Sequence, residues 1–381
     1  MELKDLRNEI DEIDDELVKL FARRMDVSAR IAGVKKEKSL PIFVPARERE
    51  KLADVAAKAG PDLANYTRVL YSVLFELSRA HQNKLNGSHS KLQTQIENAI
   101  ADTPNLFPRN PTVACQGVEG AYSQIAAAKF FDDPTVMYFN NIEGVFTAVD
   151  KGLCRYGVLP LENTAAGSAE RVYNLIISHR FSIVRSFQMN VDHNLLTKPG
   201  IRLSDIREIY SHEQAITQCS KFLRDLPGIT LIPVANTAVA AEIVSKSGRN
   251  DVAAISSRNC MELYGLVSLA DSIQDKGSNH TRFVCFSKNL EIYPGSDKTS
   301  IMIVLPHRPG SLYKFLARLY TLGINVGKIE SRPMPDRDFE TMFYIDLETS
   351  IYSEEFVQLI CELEDLCEDF RYLGSYREIV S

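Results

Sequence analysis

Hydrophobic residues at the start of the chain fall in steps of three and four: Leu3, Leu6, Ile10, Ile13, Leu17 and Leu20. That spacing is the apolar line of a helix whose seam packs against another helix. The line continues through Val27, Ile31 and Val34, but position 24 on it is arginine. The pattern predicts one long helix over 3–38, a turn around Ser39-Leu40-Pro41, and shorter helices over 46–59 and 62–84. The polar run Asn86-Gly87-Ser88-His89-Ser90, a weak helix and the proline-rich TPNLFPRNP follow.

From Thr112 the period changes. Short β-rich runs (TVACQG, YGVLPLE, SIVRSFQM, EIYSH, ITLIPV, DVAAIS and RFVCFS) alternate with helical segments. The alternation predicts an α/β unit with mostly parallel strands, ending at the linker EIYPGSDK. The remainder reads strand TSIMIVL, helix PGSLYKFLARLYTLG, strands INVGKIESRP and ETMFYIDLE, helix SEEFVQLICELEDL and strand DFRYLGSYRE. That order is βαββαβ, an α+β ferredoxin-like half-sandwich. The expected organisation is therefore an all-α unit over 1–85, a linker over 86–111, an α/β unit over 112–288 and an α+β unit over 298–381.

Composition narrows the chemistry. The 381 residues exceed one ordinary core, and 45% hydrophobic with 25% charged is the balance of a water-soluble protein. The net charge of -6 argues against nucleic acid, and an anionic substrate must be held by local cations rather than by a general field. No run approaches a membrane span, and the charged start MELKDLRNEI shows no signal peptide, which points to the cytoplasm. The seven cysteines (115, 154, 219, 260, 285, 361 and 367) form no CxxC pair and read as free thiols rather than zinc ligands. No metal or cofactor is called for.

Arginine on a dry seam is a snorkelling side chain, a slip in the register of the line or an anion site. A helix of about 50 Å is longer than an 85-residue unit covers alone, so the seam calls for another chain. Lys35 lies on nearly the same face as Arg24; Arg47 and Glu48 follow the turn; Ser78 and Gln82 are an i, i+4 pair on the last helix. Such cations and neutral donors suit a small dicarboxylate. Arg7 is about 25 Å along the axis from Arg24, so it joins the same pocket only from a partner protomer. The segments LRNEIDEIDDELVKLFARRMDVSARIAGVKK, ARERE and LSRAHQ resemble the all-helical chorismate mutases, which are intertwined dimers. The resemblance implies that Arg24, Arg47 and the partner's Arg7 grip the two carboxylates of chorismate. It further implies that Lys35 and Gln82 donate to the ether oxygen, Glu48 holds the ring hydroxyl and Ser78 lines the pocket. An acidic residue common just before the arginine after the turn is Val44 here.

In the α/β unit, ACQGVEGAYSQIAA is a strand, a glycine turn and a helix whose free N–H groups suit a carboxylate. PLENTAAGS, YSHEQAITQC, ANTAVAAEI and KGSNHTRFVCF place hydroxyl and amide side chains at strand ends, where open α/β sheets bind ligands. Asn163, Thr164, Ser211 and Thr237 read individually as helix caps and jointly, with Thr281 and Arg282, as a site. His212 and His280 are weaker candidates for general acids. The buried-looking cysteines 115, 154, 219, 260 and 285 read as packing. Residues 112–288, with NHTRF, LENTAAGS, SHEQA and NTAVAA, resemble prephenate dehydratase, a two-lobed fold like periplasmic binding proteins. The resemblance implies that Thr281 is the central catalytic residue and that Glu162, Asn163, Ser211, Gln218 and Arg282 are site neighbours. Arg282 or backbone N–H groups would anchor the side-chain carboxylate.

The C-terminal HRPGSLYKFL and KIESRP resemble an ACT regulatory domain, which implies phenylalanine bound near Gly310, Ser311, Leu312, Glu330, Ser331, Arg332 and Pro333. Ser311 stands where alanine is more common. The leading expectation is an enzyme that turns chorismate into prephenate and then phenylpyruvate, inhibited by phenylalanine, as a homodimer or higher oligomer. Two alternatives stay open: arogenate as the dehydratase substrate, and a non-catalytic amino-acid sensor.

Overall fold

The computed structural model describes residues 3–38, 40–86, 91–164, 167–168, 170–275, 277, 279–334, 341–353, 355–356, 359–360, 363 and 367–380. Parts of the sequence reading fall outside them: Ser39, the run 87–90, Ala165 and Ala166, Lys276, Ser278, Cys361 and most of the expected helix over 353–366. The chain divides into two compact units, residues 1–95 with 354–367, and residues 96–353 with 368–381.

In the first unit the long apolar period forms α1 (Leu3–Glu37), followed by α2 (Pro45–Ala59) and α3 (Ala64–Asn86). Proline suits the first position of α2, where a helix has no use for that N–H. Helix α3 packs on both α1 and α2. Helix α4 (Lys91–Asp102) spans the boundary between the units.

The second unit holds two sheets. The chain runs β1 (Thr112–Gln116), α5 (Tyr122–Phe130), β2 (Thr135–Phe139), α6 (Ile142–Asp150), β3 (Tyr156–Asn163), β4 (Gly167–Ser168), α7 (Glu170–His179) and β5 (Ser182–Asn190). It then builds a second sheet from β6 (Asn194–Thr197), β7 (Glu208–Ser211), α8 (Glu213–Gln218), α9 (Ser220–Arg224) and β8 (Thr230–Pro233). Helix α10 (Thr237–Lys246), β9 (Val252–Ser256), α11 (Asn259–Tyr264) and β10 (Val267–Ala270) complete it, in the order β10-β6-β9-β7-β8. Strand β11 (His280–Ser287) returns to the first sheet between β5 and β3.

The expectation of mostly parallel strands is corrected. Strands β1, β2 and β3 are parallel, as are β7, β8 and β9, but β11 is antiparallel to both β3 and β5, and β6 is antiparallel to β9 and β10. Strand–helix–strand units impose parallel pairing on their own strands. They say nothing about strands laid down as the chain crosses to another sheet and back, and β2, β6 and β10 were absent from the sequence reading. Strands β1, β3 and β11 are buried on both faces, which explains their nearly unbroken hydrophobic runs. All five cysteines read as packing (115, 154, 219, 260 and 285) are buried.

The last segment forms β12 (Lys298–Val304), α12 (Ser311–Thr321), β13 (Asn325–Pro333), β14 (Thr341–Glu348) and β15 (Asp369–Val380). Their antiparallel order β13-β14-β12-β15 is that of a βαββαβ half-sandwich. Strand β15 then pairs in parallel with β5 through Arg377–Val380, so the two β layers form one continuous sheet. Gly374 sits at the crossing with φ +131, its Cα facing the Ile183 backbone where no side chain fits.

Candidate active sites

Within the helical unit, Arg24 is half-buried on α1. Its Nη1 donates to the Leu74 carbonyl at 3.0 Å and to the Ser78 hydroxyl, and its guanidinium lies 5.7 Å from the Phe75 ring. Burial works against its charge and lowers its pKa from the ordinary arginine value. One turn on, Gln82 Nε2 donates to Ser28 Oγ at 2.8 Å, while Gln82 Oε1 is buried without a partner among the described residues. Lys35 Nζ donates to the Ile42 carbonyl at 2.6 Å; its pKa is lowered by burial and supported by the nearby charge of Glu48. Glu48 is in turn held by Arg79, whose guanidinium lies 5.0 Å from the Phe43 ring.

Arg24, Ser78 and Gln82 thus meet across α1 and α3, with Lys35 and Glu48 beside the α1–α2 turn. Arg47 does not join them in one protomer: it is exposed and pairs with Glu50 at 2.8 Å. Successive helix positions point about 100° apart, so when Glu48 faces α3 its neighbour turns to solvent. Arg7 is also exposed, as are Leu3, Leu6, Ile10, Ile13, Leu17 and Leu20 of the apolar line. The sequence reading missed Arg79 and Ser28. Both carried a signal, Arg79 beside Ser78 in LSRAHQ and Ser28 one helical turn after Arg24.

The second unit contains a cavity of about 400 Å³. Asn163, Gln218, Thr237 and Thr281 line it, joined by Gly117, Ser123, His193, His212 and Asn236. Tyr122 and Ser123 of α5, Gln214 and Ala215 of α8 and Thr237 of α10 border it. Free N–H groups at helix starts give a partly positive wall suited to carboxylates. No arginine or lysine is among the described lining residues. Gly117 has φ +105, and a side chain there would press on Ala121 and Asn236, so the turn into α5 requires glycine.

The caps belong to neighbours of the expected residues. Asn236 caps α10 by accepting from Val239 N at 2.9 Å, and His212 Nδ1 accepts from Gln214 N at 3.3 Å. Ser211 is buried, donates to the Ile255 carbonyl and does not line the cavity. Thr164 accepts from His280 N at 3.0 Å, fastening β3 to β11 outside the cavity. Thr281 is buried at the wall, and its Oγ1 accepts from Asn163 Nδ2 at 2.7 Å. The same Asn163 amide donates to Asn279 Oδ1 at 2.9 Å, and Gln218 Nε2 donates to Asn163 Oδ1 at 3.5 Å. Asn279 and His193 are not among the residues singled out in the sequence. Asn279 lay in plain view in NHTRF, whereas His193, between β5 and β6, carried no motif.

Arg282 is corrected. It follows Thr281 on β11 and therefore points to the opposite face of the sheet. There it is buried and bound by Glu162 at 3.0 Å, Asp346, the Tyr376 hydroxyl and Glu378 at 3.5 Å, so it does not line the cavity or anchor a carboxylate there. Glu162 borders the cavity, but its carboxylate is engaged by Arg282 and Lys328.

At the C-terminal loop, Gly310 (φ +86) precedes the start of α12, with Ser311 and Leu312 in its first turn. On β13, Glu330 and Arg332 pair with each other on the half-buried face, Glu330 also meeting Lys328 at 3.1 Å, while Ser331 and Pro333 lie on the exposed face. These four residues therefore do not share one surface.

The comparisons with known proteins fall on the same segments. The type II chorismate mutase family matches residues 6–83, and the prephenate dehydratase family matches residues 113–291. A bifunctional chorismate mutase/prephenate dehydratase of Aquifex aeolicus is 31% identical over 98% of both chains. The chain belongs to the bifunctional chorismate mutase/prephenate dehydratases. It rearranges chorismate to prephenate and converts prephenate to phenylpyruvate. Arogenate dehydratase/prephenate dehydratase 1 of Arabidopsis thaliana is 38% identical over 69% of this chain and 71% of its own. Among solved structures, a prephenate dehydratase from Arthrobacter aurescens in complex with L-Phe is 27% identical with a TM-score of 0.63, covering 70% of this chain and 89% of that one. Among the described residues no helix is long and apolar enough to cross a membrane.

Proposed function

We propose that Thr281 is the hydrogen-bond donor to the departing ring hydroxyl of prephenate. The dehydratase step removes that hydroxyl and carbon dioxide together, driven by the aromatic ring that forms. The enzyme must hold a dianion, assist the leaving hydroxide and leave the carboxylate to be lost poorly solvated. The carrying observation is the 2.7 Å bond from Asn163: it occupies Thr281 Oγ1 as acceptor and leaves the hydroxyl hydrogen for the substrate. The first turns of α5 and α10, which border the cavity, receive the carboxylates, with no arginine or lysine among the described lining residues. Thr281→Ser, which keeps the hydroxyl, is expected to stay within about tenfold of native kcat, and Thr281→Ala to lose on the order of 10²-fold or more. Equal activity of the two variants would contradict the role.

In the helical unit the rearrangement needs neither nucleophile nor proton transfer, only a folded conformer and donors where negative charge builds. Arg24, Lys35 and Gln82 are the donors in this reading, Ser78 lines the pocket and Glu48 holds the ring hydroxyl. Arg47 and Arg7 enter as the substrate binds and a second protomer covers the exposed apolar line of α1. The C-terminal βαββ segment is read as an ACT domain binding phenylalanine at Gly310–Leu312 and at Glu330, Ser331, Arg332 and Pro333, in a cytoplasmic homodimer or higher oligomer. The phenylalanine complex of the Arthrobacter relative supports an effector of that kind. Effector bound at such a domain biases two arrangements of the assembly.

A further inference from the structure

We propose that His193 is a positioning residue for the dehydratase step, its Nε2–H fixing the direction of a hydrogen-bond relay through Gln218 and Asn163 to Thr281. The proposal rests on the reading of Thr281 as the donor to substrate.

His193 is 3% exposed, between β5 and β6. Its Nε2 lies 2.8 Å from Gln218 Oε1, which also accepts from Asn279 Nδ2 at 3.2 Å. Gln218 Nε2 donates to Asn163 Oδ1, and Asn163 Nδ2 donates to Thr281 Oγ1. Every link therefore donates in one direction, ending with the Thr281 hydrogen directed away from the relay. Asn279 pins the amides: its Nδ2 also donates to the Val191 carbonyl at 3.1 Å, and its Oδ1 accepts from Asn163.

The other neutral tautomer of His193 works against this arrangement. With Nε2 bare, its lone pair faces Gln218 Oε1, and Gln218 can answer only by turning its NH₂ toward the ring, which sets it against Asn279 Nδ2 and reverses its bond to Asn163. Nδ1 is buried and has no partner among the described residues, while Nε2 stands at the head of the relay. The backbone beside the ring is held as well: the His193 main-chain N–H donates to Gln274 Oε1 at 3.0 Å, and Tyr122, which packs edge-on to the ring, donates to the Asp192 carbonyl at 2.7 Å. Gln218 belongs to the second sheet's α8, whereas Asn163 and Thr281 lie on β3 and β11, so the relay also ties the two halves of the cavity together.

The test uses the full-length chain and measures kcat and KM for prephenate, with chorismate mutase activity as the check on folding. His193→Leu removes the donor; His193→Gln places an amide N–H near Nε2; Gln218→Met breaks the next link; Thr281→Val removes the terminal hydroxyl. His193→Leu and Gln218→Met are each expected to lower kcat on the order of 10²-fold with KM within about threefold, and His193→Gln to recover at least about tenfold of that loss. Native kcat in His193→Leu, or a His193→Gln variant no better than His193→Leu, overturns the relay. Should His193→Leu fail to fold, native kcat in Gln218→Met, or a loss in His193→Gln as deep as that in Gln218→Met, overturns it equally. Thr281→Val at native kcat would instead remove the Thr281 reading; Thr281→Val inactive with His193→Leu unchanged removes the relay alone.

Discussion

Thr281 and Arg282 are adjacent in the sequence and serve opposite faces of one strand. The sequence marks both as site residues because they share a motif; the two-residue period of a strand allows only one into the cavity. The other becomes the centre of a buried ionic cluster with Glu162, Asp346 and Glu378. This neutralisation of Glu162 has a consequence for substrate choice. Prephenate and arogenate differ by a keto group against an ammonium, and an ammonium in a confined pocket requires a free carboxylate or several acceptors. Glu162 is the one carboxylate among the described lining residues, and Arg282 and Lys328 already engage it. At equal concentrations prephenate is therefore expected to give the higher kcat/KM, by roughly tenfold or more. An arogenate rate equal or greater would show that another group receives the ammonium. Arg24 was legible from the sequence because a cation interrupts an apolar line; His193 was not, because its importance lies in which nitrogen carries a proton.

At the scale of elements, the ends of α1, α2 and α3 were readable to within a few residues. The 3.6-residue period and the prolines carry that information locally, as α1 and α2 show. Strand direction was not readable where the chain changes sheets, and the short strands β6 and β10 lack a long enough run to register. One element shows how a single position sets a terminus. Helix α2 begins after Val44, which has extended backbone geometry and no side-chain cap. An acidic residue there would accept from the free N–H groups of the first turn and complement the helix dipole. Val44→Asp is expected to stabilise the helical unit by about 1 kcal/mol. The measurable result is a rise in the temperature at which mutase activity is lost; an unchanged or lower midpoint would mean that the N–H groups are already satisfied.

At the scale of the whole molecule, the compact units divide between residues 95 and 96 and the expected C-terminal unit over 298–381 lies mostly within the second, whereas the start of the first sheet was legible because the hydrophobic period changes at Thr112. The continuation of β15 onto β5 was not, since that pairing joins residues almost two hundred positions apart and no local pattern encodes it. Through it, the back face of the strand carrying Thr281 is packed against residues of the C-terminal segment, Asp346 and Tyr376. The proposed mutase donors, by contrast, all lie within residues 1–95. The two chemistries thus draw on separate sets of side chains. The most direct measurement is to supply chorismate to the Thr281→Val chain and follow chorismate, prephenate and phenylpyruvate together. Chorismate should disappear at the native rate while prephenate accumulates and phenylpyruvate formation falls on the order of 10²-fold or more. Phenylpyruvate appearing at the native rate, or chorismate consumption falling in step with it, would contradict the assignment.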